Sequence, residues 1–116
     1  MNENTFKLKL QSHTEAIKES LKGIKDYPEL ADVTLISEDQ VLLKAHKLIL
    51  SMFSPVLRSL LGLSSEGNTV IHMRGTRGKD IQSLLDYIYC GEVNIEKDDV
   101  ASFLELSSSL KINSLE

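Results

Sequence analysis

The sequence predicts an α+β domain, a small sheet carrying a cluster of helices, and three observations predict it. Val33-Thr34-Leu35-Ile36 and Val41-Leu42-Leu43-Lys44-Ala45 are short runs rich in β-branched residues and leucine, separated by Ser37-Glu38-Asp39-Gln40, which is hairpin punctuation. The period then changes. From Lys47 the apolar residues Leu48, Ile49, Met52 and Phe53 recur at helical spacing, and Ser54-Pro55 supplies an N-cap followed by proline at the first helical position of a new segment. Broad helical stripes fill the second half, so strands come early and helices late.

From the amino end, Phe6-Lys7-Leu8-Lys9-Leu10 alternates apolar and basic residues with period two, the mark of a half-buried strand, yet no nearby segment can pair with it. Ser12-His13-Thr14-Glu15 reads as a capping box opening a helix to about Lys25. Its apolar positions Ile17, Leu21 and Ile24 form a narrow stripe, closer to a helix-pairing seam than to a face sunk in its own core. Tyr27-Pro28 ends that segment, because proline disfavours the helical region for the residue before it. Pro55 to Leu61 is a short helix with Val56, Leu57, Leu60 and Leu61 on its buried side, stopped by Gly62. Leu63 to Thr69 is a surface loop, Val70-Ile71-His72-Met73 a strand, and Arg74 to Gly78 a loop of basic character. A helix starting near Asp80 carries Ile81, Leu84, Leu85, Ile88 and Tyr89 on one face and ends at Gly91. Val93 to Ile95 reads as a small strand. Asp98 or Asp99 caps a last full helix carrying Val100, Phe103, Leu104, Leu106, Leu110 and Ile112. Asn113 or Ser114 has the character of a cap opening a further helix, so residues 1–116 read as one domain cut from a longer protein.

Composition narrows the function classes. A chain of 116 residues with 41% hydrophobic and 26% charged residues is one ordinary globular domain that needs no crosslinks. Its single cysteine, Cys90, lies in an apolar helix and reads as a small core residue of a reducing compartment. No apolar run approaches the roughly 20 residues that cross a bilayer, and a net charge of -4 argues against this segment gripping nucleic acid by itself. An enzyme needs convergent titratable groups, and His13, His46 and His72 stand apart with no second ligand or base at a useful spacing. Gly75 and Gly78 have the wrong spacing for a phosphate-cradling loop. No catalytic residue, metal ligand or cofactor site is expected.

The run Asp32-Val33, Ala45-His46-Lys47, Leu50, Ser54-Pro55 resembles the start of the BTB (POZ) fold, whose signature runs Asp-Val, then Ala-His-Lys or Ala-His-Arg, then a leucine- and serine-containing helix. Ser83-Leu-Leu-Asp-Tyr87-Ile-Tyr89-Cys-Gly91-Glu-Val93 and Phe103 to Ile112 resemble the later helices of such domains. Phe6-x-Leu8-x-Leu10-x-x-His13, Tyr89-Cys90-Gly91-Glu92-Val93-Asn94 and Leu110-Lys111-Ile112-x-x-Leu115 resemble the arthropod group typified by the tramtrack and longitudinals-lacking proteins, whose pattern has tryptophan where this chain has Leu10. The resemblance implies an α+β BTB/POZ fold with an extension strand over residues 1–11, a dimerisation helix over 12–26 and a core over 30–116. It implies a structural role for His46, a buried imidazole satisfying backbone groups. It also implies a nuclear protein-interaction domain of a transcription or chromatin regulator, with zinc fingers or similar DNA-binding modules downstream and assemblies that include dimers and larger particles. Itself, related BTB domains and co-regulators are the expected partners.

Two features point to self-association without the family. The strand Phe6, Leu8 and Leu10 presents an apolar face with unpaired backbone, and the stripe Ile17, Leu21 and Ile24 is narrow; two copies related by a two-fold axis solve both problems. The alternative is that the strand pairs within its own chain and the stripe covers a monomeric core. Asp32 and Lys47 flank apolar strand ends, and the resemblance places the matching pair in a charged groove at the dimer interface; an ordinary solvated pair is the other reading. A rival function is adaptor of a cullin-based ubiquitin ligase. Such adaptors carry a hydrophobic residue two positions before a glutamate in the loop after the third helix, where this chain has Ser64 before Glu66. Channel-tetramerising domains lack the Ala-His-Lys entrance found here.

Overall fold

The hairpin nucleates the sheet. In the computed structural model, which describes residues 4–62 and 67–112, β1 (Val33–Ile36) alternates buried and half-buried residues while β2 (Leu42–Ala45) alternates exposed and buried ones. Both therefore turn one face to the core, as period-two patterning requires. β2 pairs antiparallel with β1, with Leu35 opposite Leu43, and β3 (Thr69–His72) pairs parallel with β1 on its other side, giving the order β2-β1-β3. The parallel pairing is reached through the crossover helices α2 (Lys47–Phe53) and α3 (Pro55–Gly62).

The helices α1 (His13–Ile24), α4 (Gly78–Cys90) and α5 (Val100–Ser109) complete the fold. α4 is its axis, packing against β2, α1, α2 and α5. Ile81, Leu84, Leu85, Ile88 and Tyr89 are all buried, as their helical spacing predicts, and meet Leu35, Leu50, Leu57 and Phe103 in one core.

Polar groups fix the joints. Ser54 caps α3, its Oγ accepting the Leu57 N–H at 3.0 Å and donating to the Leu110 carbonyl at 2.7 Å, so one hydroxyl starts a helix and anchors the far end of the chain. α4 begins at Gly78, two residues before the predicted start, because the backbone there passes under the hairpin. Its N–H donates to Asp39 Oδ1 at 2.8 Å, and an added Cβ would lie 2.7 Å from Val41 Cβ. Gly91 closes α4 with a left-handed φ of 86°. Asp99 stands at the N-cap of α5 without capping it. Its carboxylate instead accepts from Lys79 Nζ at 2.7 Å and Arg77 at 3.0 Å, and these two cations hold it below the usual carboxylate range.

Several expectations are corrected. Residues 6–10 form no strand among the described residues; a strand needs a second strand beside it, and none of the described strands pairs with them. Val93–Ile95 likewise has no strand assignment, although both residues are half-buried. Ser12 precedes α1 in a left-handed conformation, φ 56°, and makes no side-chain cap, since an N-cap side chain reaches the third N–H from the extended region of the backbone. Leu60 and Leu104 are exposed rather than buried. Ser64, Glu66 and the Asn113 or Ser114 cap lie outside the described residues.

Candidate interaction surface

The amino-terminal segment holds three widely exposed large apolar side chains. Phe6 is 88% exposed, Leu8 91% and Leu10 69%. Large side chains this open gain nothing from the hydrophobic effect in a single chain, whereas burying each stabilises by about 1.5–3 kcal/mol. The segment leads into α1, in which no residue is fully buried. Leu21 and Ile24 are half-buried against the core, so part of the stripe is spent within the chain, while Ile17 remains 47% exposed. The structure thus divides the stripe: its carboxyl end docks α1 onto α4 and its amino end stays open.

Beside that open end lies an apolar groove of about 360 Å³ between α1, the end of α2 and the carboxyl end of α4, lined by Ile17, Leu21, Phe53, Tyr87, Cys90 and Gly91. Cys90, predicted as a core residue, is half-buried on this wall. On the helix that ends at Phe53, Leu48 is 73% and Met52 50% exposed. Their helical spacing is read correctly from the sequence, but not their exposure. The available signal was that Leu48, Ile49, Leu50, Met52 and Phe53 make a seven-residue helix apolar nearly all round, more than one core face can bury.

Asp32 and Lys47 do meet, although not as an ion pair. Asp32 Oδ1 accepts the backbone N–H of Lys47 at 2.7 Å, capping α2 from across the sheet, because His46 at the N-cap position supplies no side-chain cap. The Lys47 ammonium donates to the Gly67 carbonyl at 2.7 Å. The Asp32 backbone N–H donates to the Ala45 carbonyl and its carbonyl accepts from Thr69, so this one residue ties together β2, β3 and α2.

His46 is buried, as expected, but its partner is a side chain. The Tyr89 hydroxyl accepts the His46 backbone N–H at 3.0 Å and lies 2.7 Å from Nδ1, while Nε2 is buried with no partner among the described residues. Burial pushes the Tyr89 phenol up to about 12. Among the described residues no three His, Cys, Asp or Glu side chains gather as metal ligands, and no helix is long and apolar enough to cross a membrane.

This arrangement, a three-stranded sheet entered through Ala45-His46-Lys47 and covered by helices, with apolar side chains exposed at the amino end, is that of a known domain family. The BTB/POZ domain family model matches residues 21–116, and the chain belongs to that family. It is 30% identical over 114 residues to the "Longitudinals lacking protein-like" of Drosophila melanogaster, covering 98% of this chain and 89% of that protein. It is 31% identical over 115 residues to the alpha isoform of Protein tramtrack of the same organism, covering 99% of this chain and 14% of that one. The BTB domain of zebrafish PATZ1 superposes with a TM-score of 0.79 at 19% identity, covering 95% of this chain and 90% of that one, a likeness of fold. The chain spans only 12–14% of the longitudinals-lacking isoforms it also matches. The family and the exposed apolar surface are consistent with a role in protein–protein interaction.

Proposed function

We propose that this chain is the self-association module of a nuclear transcription or chromatin regulator, forming a homodimer or a larger assembly through Phe6, Leu8, Leu10 and the open end of α1. The observation that carries this reading is the near-complete exposure of Phe6 and Leu8 in a segment without internal pairing. A second copy offers a fitting recipient in Glu92-Val93-Asn94-Ile95-Glu96. There the half-buried Val93 and Ile95 alternate with Glu92, Asn94 and Glu96, two of them acidic, as Phe6, Leu8 and Leu10 alternate with Lys7 and Lys9. Apolar faces would stack and opposite charges would oppose, the pairing that stabilises neighbouring strands.

Ile17, the adjoining groove, and Leu48 and Met52 extend the same surface. Lys47 opens the helix that carries Leu48 and Met52, and on this reading the Asp32–Lys47 joint is a charged border of the contact. Self-association would multiply whatever DNA-binding modules the parent protein carries, converting weak single contacts into a high effective concentration. Related BTB domains and co-regulators are the further partners this reading expects. Removing residues 1–10 and measuring mass by sedimentation tests it: the mass falls to that of a smaller assembly, and an unchanged mass would remove the amino-terminal segment from the contact.

A further inference from the structure

The outer edge of β2 is a second unpartnered surface, and its chemistry differs from that of the amino-terminal face. The Thr69 N–H donates to the Asp32 carbonyl and the Met73 N–H to the Ile36 carbonyl, so the even-numbered positions of β1 point their backbone groups at β3 and the odd-numbered ones at β2. The Ser37 N–H donating to the Val41 carbonyl agrees with this alternation. Given the register of Leu35 opposite Leu43, the N–H and C=O groups of Leu42 and Lys44 therefore point away from the sheet. β2 is a terminal strand, Leu42 is 66% exposed, and Lys44 makes no hydrogen bond or ion pair among the described residues. Along this edge runs a cavity of about 300 Å³ with Leu43 and Leu85 in its wall and two lysines beside it: Lys44, and Lys25, which is paired with Asp86 at 2.6 Å.

We propose that the β2 edge and this cavity bind an extended peptide of another protein by strand addition, a peptide in which acidic residues alternate with apolar ones. Each feature of the peptide follows from a feature of the edge. Outward backbone groups at Leu42 and Lys44 call for an extended main chain. Period two then sends alternate side chains to opposite faces, one set over Leu43 and Leu85 and the other beside Lys44. A cation without a partner, on a domain of net charge -4, selects a carboxylate locally. The Lys44 ammonium also disfavours the chain's own amino-terminal segment, whose Lys7 and Lys9 carry the same sign. The site is thus separate from the self-association surface and does not depend on it.

The test uses the full 116-residue chain and a fluorescein-labelled peptide of sequence Asp-Val-Asp-Leu-Asp-Val-Asp, read by fluorescence polarisation. Controls are a matching peptide with lysine in place of aspartate and one with a central proline. Two variants are compared: Lys44→Glu, which reverses the charge, and Leu42→Pro, which removes an outward N–H that the β1 ladder does not use. The acidic peptide binds the parent chain and the lysine and proline peptides do not. Lys44→Glu weakens binding about tenfold or more, the scale of turning an exposed attraction into a repulsion, and Leu42→Pro abolishes it. Sedimentation mass and melting temperature stay those of the parent in Lys44→Glu. Absence of binding at millimolar peptide, equal binding of the lysine peptide, or parental affinity in Lys44→Glu would overturn the proposal. A change of mass in Lys44→Glu would also overturn it, by making the edge a contact between copies.

Discussion

Leu8→Asp separates association from folding more cleanly than any other single change. Leu8 is 91% exposed and lies outside every helix and strand, so the substitution removes no packing from the single chain, and surface changes of this kind stay within about 0.5 kcal/mol. In the proposed dimer the same position is covered. Each copy then forfeits about 1.5–3 kcal/mol of leucine burial, and a two-fold interface counts the loss twice, giving about 3–6 kcal/mol. That corresponds to a dissociation constant raised roughly a hundred- to ten-thousand-fold, before any cost of burying the carboxylate, which adds to the loss. Sedimentation equilibrium of parent and variant over a dilution series gives the two constants. Melting curves at a dilution where both are single chains check that folding is untouched. Equal constants would refute the reasoning, as would a variant that melts early as a single chain, since Leu8 would then be packed within it.

Three further outcomes test the joints of the fold. Asp32→Ala leaves the Lys47 N–H without its cap and lowers stability by about 0.5–2 kcal/mol, whereas Asp32→Asn keeps an acceptor oxygen and recovers most of it; equal loss in both by chemical denaturation would assign the effect to charge rather than to capping. Gly78→Ala forces a Cβ against Val41 at 2.7 Å and costs about 1–3 kcal/mol, measured as a shift of the denaturation midpoint, and a neutral result would show that the hairpin can move aside. The Asp99 carboxyl, held down by Lys79 and Arg77, adds stability that is complete above its ordinary value of 3.8 and is lost as pH falls through its lower folded value. Asp99→Asn therefore lowers the melting temperature at neutral pH, and the gap to the parent closes below about pH 4; a gap independent of pH would contradict the ionic role.

The fold was legible wherever a single periodicity ruled. The hairpin around Ser37–Gln40, the Ser54-Pro55 cap and the buried face of α4 follow from local spacing, and the structure has them all. Legibility failed where a position answers to a distant partner. Nothing local says that Asp39 will accept from Gly78 or that Asp99 will be taken by Lys79 and Arg77, so α4 starts two residues before Asp80, and Asp99 stands at the N-cap of α5 without capping it. For the interaction surface, alternation marked Phe6, Leu8 and Leu10 as strand-forming, but a strand is a property of two segments and one chain supplies only one. Leu21 and Ile24 share a stripe with Ile17 in sequence and part from it in space, because the carboxyl end of α1 lies on α4 and the amino end does not. Asp32 and Lys47 meet through the Lys47 amide rather than through its ammonium, a contact that no charge pattern in the sequence announces.

Absolute molar mass by light scattering, followed from micromolar to millimolar concentration, bears most directly on whether identical chains cover one another's amino-terminal residues. If they do, the mass is at least double the 13.0 kDa of one chain over most of that range and falls only on strong dilution. A particle that holds at 13.0 kDa at millimolar concentration would contradict such mutual covering.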